Sequence, residues 1–309
     1  MNFKLKALVA AAVMAASAPA LAVMADATSG NGELLLNVRY YNGGSTVGGN
    51  DISAVFDLGV TMNDFLANQN AAGFSMNWDL TAANYGSAFS DVLAFVSSQA
   101  GLASNIEFSV IALDSTNGTD FVGGHRYLTT TAVNSFPALA NSKLATFENM
   151  NGYVTANNAR GTHAAEANGA SSAVQADGSN ANPVYFGSVG GQAGDNWRGA
   201  TTADTTAKVG VAQNFWFLTT AAADPLDPTF IDGATAAIKT SFGVDLDGNG
   251  TISATGALGN EFGKWNVSAN GAVSFANPAP VPEASTYGMM LAGLGLVGFM
   301  ARRRMNRAA

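Results

Sequence analysis

The sequence predicts a mainly β protein of the α+β class, in which a β-sandwich-like body carries a few helices. Short runs of Val, Ile, Leu and aromatic residues alternate with polar residues, as in strands that bury one face. Gly-, Asn- and Ser-rich segments typical of turns separate these runs. Only 12% of the residues are charged and 35 are glycine, a composition that suits a turn-rich fold. No period of 20–50 residues repeats, so we do not expect a solenoid or a propeller.

The first half of this body is predicted to contain four strands and two helices. Thr61 is expected to cap the first helix because Asp64 follows three residues later, as the acid does in a capping box. Phe89, Val92 and Val96 follow one another at the spacing of one helical face. The predicted strands cover 33–41, 51–58, 73–80 and 106–113, and the predicted helices begin at 61 and cover 87–99.

The second half continues this pattern up to a C-terminal hairpin. The turn sequence Ala-Asn-Gly at 269–271 separates two apolar runs, which predicts a hairpin of 265–267 with 272–275. The segment 157–182 consists mostly of small and polar residues and is therefore predicted to be a loop or an insertion. Further strands are expected at 125–131, 185–186 and 213–219, and a helix at 141–156.

Histidine and tryptophan side chains are candidates for a site but are not distinctive here. His163 lies in the predicted loop and is expected to be solvated, and His125 is expected on the surface or in a turn. Tryptophans in strands usually pack in a core, although they can also stack on sugars. Trp197 lies among polar residues in a Gly-rich stretch, so we expect it to be the most exposed of the four tryptophans.

Residues 1–25 have the three parts of a Sec signal peptide. Lys4 and Lys6 precede an apolar run over 7–18, and small residues follow. Cleavage is predicted after Ala22, which ends an Ala-x-Ala site, or after Ala25. A membrane helix is the alternative, but the apolar run is too short to span a bilayer. The chain is therefore expected to use the Sec translocon.

The C-terminal segment 277–309 has an apolar stretch between a Pro-rich strip and a basic cluster. Residues 284–301 carry no charge, and as a helix they span about 27 Å, close to the ~30 Å hydrocarbon core of a bilayer. Arg302, Arg303 and Arg304 follow, and the positive-inside rule places them in the cytoplasm. We therefore predict one transmembrane helix after a β-rich exported passenger, 26–276. A membrane anchor that is never cut is the alternative.

A short motif lies at the start of this apolar stretch and consists of Val281, Pro282, Glu283, Ala284 and Ser285. Together with the apolar stretch and the arginines it resembles the PEP-CTERM sorting domain of Gram-negative bacteria, with Ala284 where a second proline usually stands. The resemblance implies sorting and cleavage by the membrane enzyme exosortase after a transient inner-membrane anchor. It also implies a final place at the cell surface or in the extracellular matrix, with exopolysaccharide. It implies nothing about the activity of the passenger.

Charge and cysteine content exclude several function classes. The net charge of the whole chain is −8, and the chain has no cysteine. The passenger lacks six of the 14 basic residues and one of the 22 acidic residues, which leaves a net charge of about −13. A surface this acidic repels nucleic acid, so we expect no nucleic-acid partner. Zinc and iron–sulfur sites with thiolate ligands are excluded.

Half of a calcium-binding loop occurs near the end of the passenger. Its side-chain oxygens and its backbone ligand would come from Asp245, Asp247, Asn249 and Thr251, with a glycine at the sixth position. The twelfth position is Gly256, where calcium loops of this type have a bidentate glutamate. A Ca²⁺ site is therefore one interpretation, and an Asn-Gly hairpin turn is the other.

No catalytic motif is recognisable in the sequence. A GxSxG motif is absent, and the residues after His163 do not form a zinc-protease motif. We therefore favour a non-enzymatic envelope or matrix protein. A secreted hydrolase that acts on polysaccharide or peptide through acids the sequence does not single out is one alternative. A calcium-stabilised adhesin is the other.

Overall fold

The computed structural model describes twelve segments of the chain. They are 24–25, 30–41, 51–69, 71–114, 125–145, 150–174, 182–187, 192–220, 238–245, 252, 262–278 and 284–305.

Eleven strands and six α-helices form within these segments. The strands are β1 Glu33–Tyr40, β2 Ile52–Thr61, β3 Ser75–Asp79, β4 Ile106–Asp114, β5 Arg126–Thr131, β6 Ala170–Val174, β7 Ala207–Lys208, β8 Gln213–Thr219, β9 Ile238–Ser241, β10 Lys264–Val267 and β11 Ala272–Ala276. The helices are α1 Met62–Asn68, α2 Ala88–Ser98, α3 Asn141–Ala145, α4 Met150–Asn158, α5 Ala193–Thr201 and α6 Ala284–Met305.

All of these strands belong to one antiparallel sheet. Its order is β3-β11-β10-β8-β5-β4-β1-β2-β6, with β7 beside β4 and β9 beside β8. The sheet is curled, so that its two ends approach each other. Trp78 on the edge strand β3 donates its indole N–H to the carbonyl of Leu58 on β2, at 2.9 Å. The predicted mainly β class with a few helices is confirmed, and the body that was predicted to be sandwich-like is one open, curled sheet in the described residues. A single open, curled sheet provides both faces on which the core packs.

The inner face of the curled sheet holds an aromatic cluster. Phe65 on α1 lies at its centre and makes edge-to-face contacts with Phe215, Phe242 and Phe275, with ring centroids 5.0–5.2 Å apart. The helix that carries Phe65 starts as predicted, because the Thr61 hydroxyl oxygen accepts from the backbone N–H of Asp64. Helix α2 covers the same face with Phe89, Val92 and Val96.

The outer face packs against the helices that follow β5. Alternation along β1 places Leu34 and Leu36 in the inner cluster and Leu35 in the outer one. Polar groups on the outer face are matched by the covering helices. The Tyr153 hydroxyl on α4 donates to the Asn37 side-chain oxygen at 2.6 Å, and the Trp197 indole on α5 donates to the Thr129 hydroxyl at 2.7 Å.

Several local predictions are corrected by the structure. Strand β6 lies within the segment 157–182 that was predicted to be a loop, and it pairs with β2 over five residues. The described parts of the helix predicted at 141–156 are helical, in α3 and α4, and residues 146–149 between them lie outside the described residues. The short strand expected at 185–186 is not a strand, although the backbone N–H of Phe186 donates to the Ser53 hydroxyl. The C-terminal hairpin, β10 with β11, is confirmed.

Candidate functional site

Helix α6 exposes its apolar side chains over the part in which the structure describes them. It is 22 residues long, about 33 Å at 1.5 Å per residue. Met289, Leu291, Leu294 and Phe299 are each between 61% and 76% exposed. In a folded soluble body such side chains lie in a core, and an exposed apolar surface of this kind marks an interaction site.

The residues of the predicted sorting signal lie at both ends of α6. Ala284 and Ser285 begin the helix, and Arg302, Arg303 and Arg304 lie in its last turn and a half. The other three motif residues, Val281, Pro282 and Glu283, lie outside the described residues. Of the helices in the described segments, none combines the length and the apolar character that crossing a membrane requires.

At the other end of the chain, the last residues of the predicted signal peptide contact the passenger. Ala22 lies outside the described residues, whereas Met24 and Ala25 are described. Met24 is fully buried in the outer cluster. The backbone N–H of Ala25 donates to the Glu33 carboxylate at 2.9 Å.

Glu33, which is partly exposed, pairs with the buried Asp57, and the sequence did not single out either carboxyl group. Burial, and next the neighbouring Glu33, raise the pKa of Asp57 well above its usual range. Burial also raises the pKa of Glu33. Asp57 is 1% exposed and accepts from the backbone N–H of Gly59 at 2.8 Å. The two groups hydrogen-bond to each other, and the pKa of each lies above its usual value.

A charged residue inside an apolar strand is the signal by which Asp57 could have been found. It stands in the run Val-Phe-Asp-Leu at 55–58. The sequence does not identify Glu33 as the partner of Asp57, because Glu33 reaches Asp57 through a register shift between Glu33 and Leu35 in the β1–β2 pairing.

The structure shows two cavities that bear on the hydrolase alternative. The larger, about 310 Å³, lies beside Trp78 and Val273, and no carboxylate stands among the described residues that line it. The smaller, about 130 Å³, contains Asp91 and Arg160. The Asp91 carboxylate already accepts from the hydroxyls of Ser87 and Ser172. Neither cavity brings together the two carboxyl groups that glycoside hydrolysis uses.

The two histidines and Trp197 are buried, which corrects the expectation that they are surface residues. His163 is fully buried, and neither ring nitrogen has a hydrogen-bond partner among the described residues. Burial lowers the pKa of His163 to about 4. His125 is 1% exposed and lies 3.4 Å from the Tyr127 hydroxyl through Nδ1. Trp197 is fully buried on α5.

The predicted calcium ligands are only partly within the described residues. Asp245 is described, whereas Asp247, Asn249 and Thr251 lie outside the described segments. Within the segments that are described, no three His, Cys, Asp or Glu side chains come together as a metal site. The calcium interpretation therefore stays a prediction.

Comparison with known proteins identifies the C-terminal segment. Residues 280–304 match the PEP-CTERM protein-sorting motif, and this range contains all eight residues of the predicted sorting signal. The chain therefore carries a PEP-CTERM sorting motif, as the sequence predicted. The motif implies an exported protein with membrane-associated transit and exosortase as its processing partner. No curated protein and no solved structure matches the chain.

Proposed function

We propose that the chain is a non-enzymatic protein of the cell envelope or the extracellular matrix. In this proposal the Sec translocon exports the chain, α6 holds it at the inner membrane, and exosortase cuts the tail. The released passenger then resides at the cell surface, in contact with exopolysaccharide.

The observation that carries this proposal is the exposed apolar surface of α6 inside the sorting motif. The passenger fills both faces of its sheet with its own side chains. Helix α6 has the same kinds of side chain, and Leu291, Leu294 and Phe299 remain exposed. A bilayer is the medium that would cover them, and the arginines at the end of the helix favour the cytoplasmic side.

The association with neutral polymers follows from charge. The passenger carries about −13, which disfavours anionic partners such as nucleic acid. Hydroxyl-rich neutral polysaccharide is not repelled by this surface, and amide and hydroxyl side chains can bind it.

Cleavage is tested in a Gram-negative host that contains exosortase. We expect the secreted protein to end near Glu283, so that its intact mass lacks α6. The double variant Pro282→Ala and Glu283→Ala should stay in the membrane fraction at full length. Pro278→Ala is the matched control, since Pro278 contributes a backbone carbonyl to Gly73, which alanine retains. A secreted wild-type protein that still carries Arg302–Arg304 would contradict the proposal.

Calcium stabilisation is a second proposal, and the spacing of Asp245, Asp247 and Asn249 supports it. A bound ion would raise the thermal midpoint of the passenger, because a ligand that binds only the folded state stabilises it. We expect EDTA to lower the midpoint and Asp247→Ala to abolish that difference. Equal midpoints with EDTA and with added calcium would exclude the ion.

A further inference from the structure

We propose that Met24 and Ala25 remain in the mature protein as a docked N-terminal segment, so that signal peptidase cuts after Ala22. The sequence alone predicts a cut after either Ala22 or Ala25. The inference rests on the proposed export through Sec, and it adds the position at which the exported passenger begins.

The first argument is the burial of Met24. Its side chain is fully buried and belongs to the outer cluster, together with Leu35, Val55 and Ile111 of the central strands. A signal peptide that is discarded after export has no reason to fill a core position of the passenger. A cut after Ala25 would remove this side chain and leave an apolar hole in the outer cluster.

The second argument is a two-point contact with the last residue of α4. The backbone N–H of Met24 donates to the Asn158 Oδ1 atom at 2.8 Å, and the Asn158 Nδ2 atom donates to the Met24 carbonyl at 3.1 Å. One side-chain amide thus satisfies both backbone groups of Met24, as a neighbouring strand would. Without Met24 this amide loses both partners.

The third argument is the contact with the carboxyl pair. The Ala25 N–H donates to Glu33, and this bond partly offsets the rise that burial causes in the pKa of Glu33. Glu33 in turn hydrogen-bonds to Asp57, whose pKa burial and the nearby Glu33 raise. Loss of Ala25 would remove a hydrogen-bond donor from a carboxyl pair in which Asp57 is buried.

The position of the cut is tested on the full chain after export from a Gram-negative host. N-terminal sequencing and intact mass should show Val23 as the first residue. A mature protein that begins at Asp26 would overturn the inference and leave the proposed export standing. A chain that still begins at Met1 would overturn both, so the two failures are distinguishable.

The docking itself is tested by thermal unfolding of the exported protein. Met24→Ala should lower the midpoint by roughly 5–10 °C, as expected for a buried methionine in a domain of this size. Asn158→Ala should lower it by a smaller amount. Thr155→Ala, on the exposed side of α4, is the control and should leave it unchanged. Unchanged midpoints for both Met24→Ala and Asn158→Ala would overturn the docking.

Discussion

The passenger and the tail helix contain similar apolar side chains, but the passenger buries them whereas the tail helix exposes them. Phe65 is buried among three other phenylalanines, whereas Phe299 in α6 is 66% exposed. The passenger thus obtains its stabilisation from its own residues. The described apolar side chains of the tail are available to an external medium. The difference teaches that folding and sorting depend on separate parts of the chain.

The largest effect should follow from emptying the centre of the inner cluster. Phe65→Ala should reduce the free energy of unfolding by about 3–5 kcal/mol, because a buried ring is lost and a cavity remains. Urea unfolding of the cleaved passenger measures this. The matched change in the tail, Leu294→Ala in the uncleaved protein, should leave the passenger transition where it is. Equal losses in the two variants would break the comparison.

A smaller effect is expected from placing a charge in the tail. Under the proposed anchoring by α6, Leu294→Asp should weaken insertion by about 2.5–3.5 kcal/mol, since a carboxylate near the middle of a bilayer is poorly solvated. Membrane fractionation of the uncleaved protein would show the loss, while its circular dichroism melting curve should not move. Asn306→Asp, beyond the end of α6, serves as the control. Retention of the Leu294→Asp protein in the membrane fraction would show that α6 is not what binds the membrane.

The next effect concerns pH and distinguishes the passenger from the tail. The folded-state pKa of His163 is lowered to about 4, below the usual value of 6.5. The unfolded state therefore binds a proton first, so the contribution of His163 to the free energy of unfolding should fall by about 2–3 kcal/mol as the pH drops from about 6.5 towards 4. The raised pKa values of Glu33 and Asp57 act in the opposite direction over this range, so the contribution of His163 is read as the difference between wild type and His163→Leu in denaturant titrations at several pH values. Removal of α6 should leave it unchanged, and a profile that depends on α6 would contradict the separation.

The smallest effect should come from the cap of α1. Thr61→Ala should cost about 1 kcal/mol, because the Asp64 N–H loses its acceptor at the helix start. Thr61→Ser keeps the hydroxyl and should restore most of the stability. Chemical denaturation of the three proteins provides the measurement, and an alanine variant as stable as wild type would show that the cap contributes nothing.

The parts of the fold that sequence could predict are those set by neighbouring residues. The β10–β11 hairpin has a turn sequence between its strands, and α1 has its cap in Thr61. The sorting motif was readable for the same reason, since it is a linear signal. Strand β6 was missed because its Ala and Ser residues favour no strand by themselves, and its pairing with β2 determines its conformation.

Burial at the site could not be predicted, because it depends on contacts that are distant in sequence. Trp197 stands among polar neighbours, yet it reaches Thr129 and is fully buried. The Glu33–Asp57 pair depends on a register shift between two strands, and no local sequence pattern predicts this shift. The buried position of Met24 depends on Asn158, a residue at the far end of a helix that lies later in the chain.

The order of strands in the sheet has a consequence for the timing of export. Edge strand β3 forms its ladder with β11, in which Ser75 is paired with Ala276, and β11 lies between β3 and β10. A chain that crosses a membrane with its N-terminus first cannot complete this sheet until residue 276 has emerged. Contacts so distant in sequence form slowly. The sheet would therefore lack its β3 edge during nearly the whole translocation, and it would be completed only when the sorting motif arrives at the membrane.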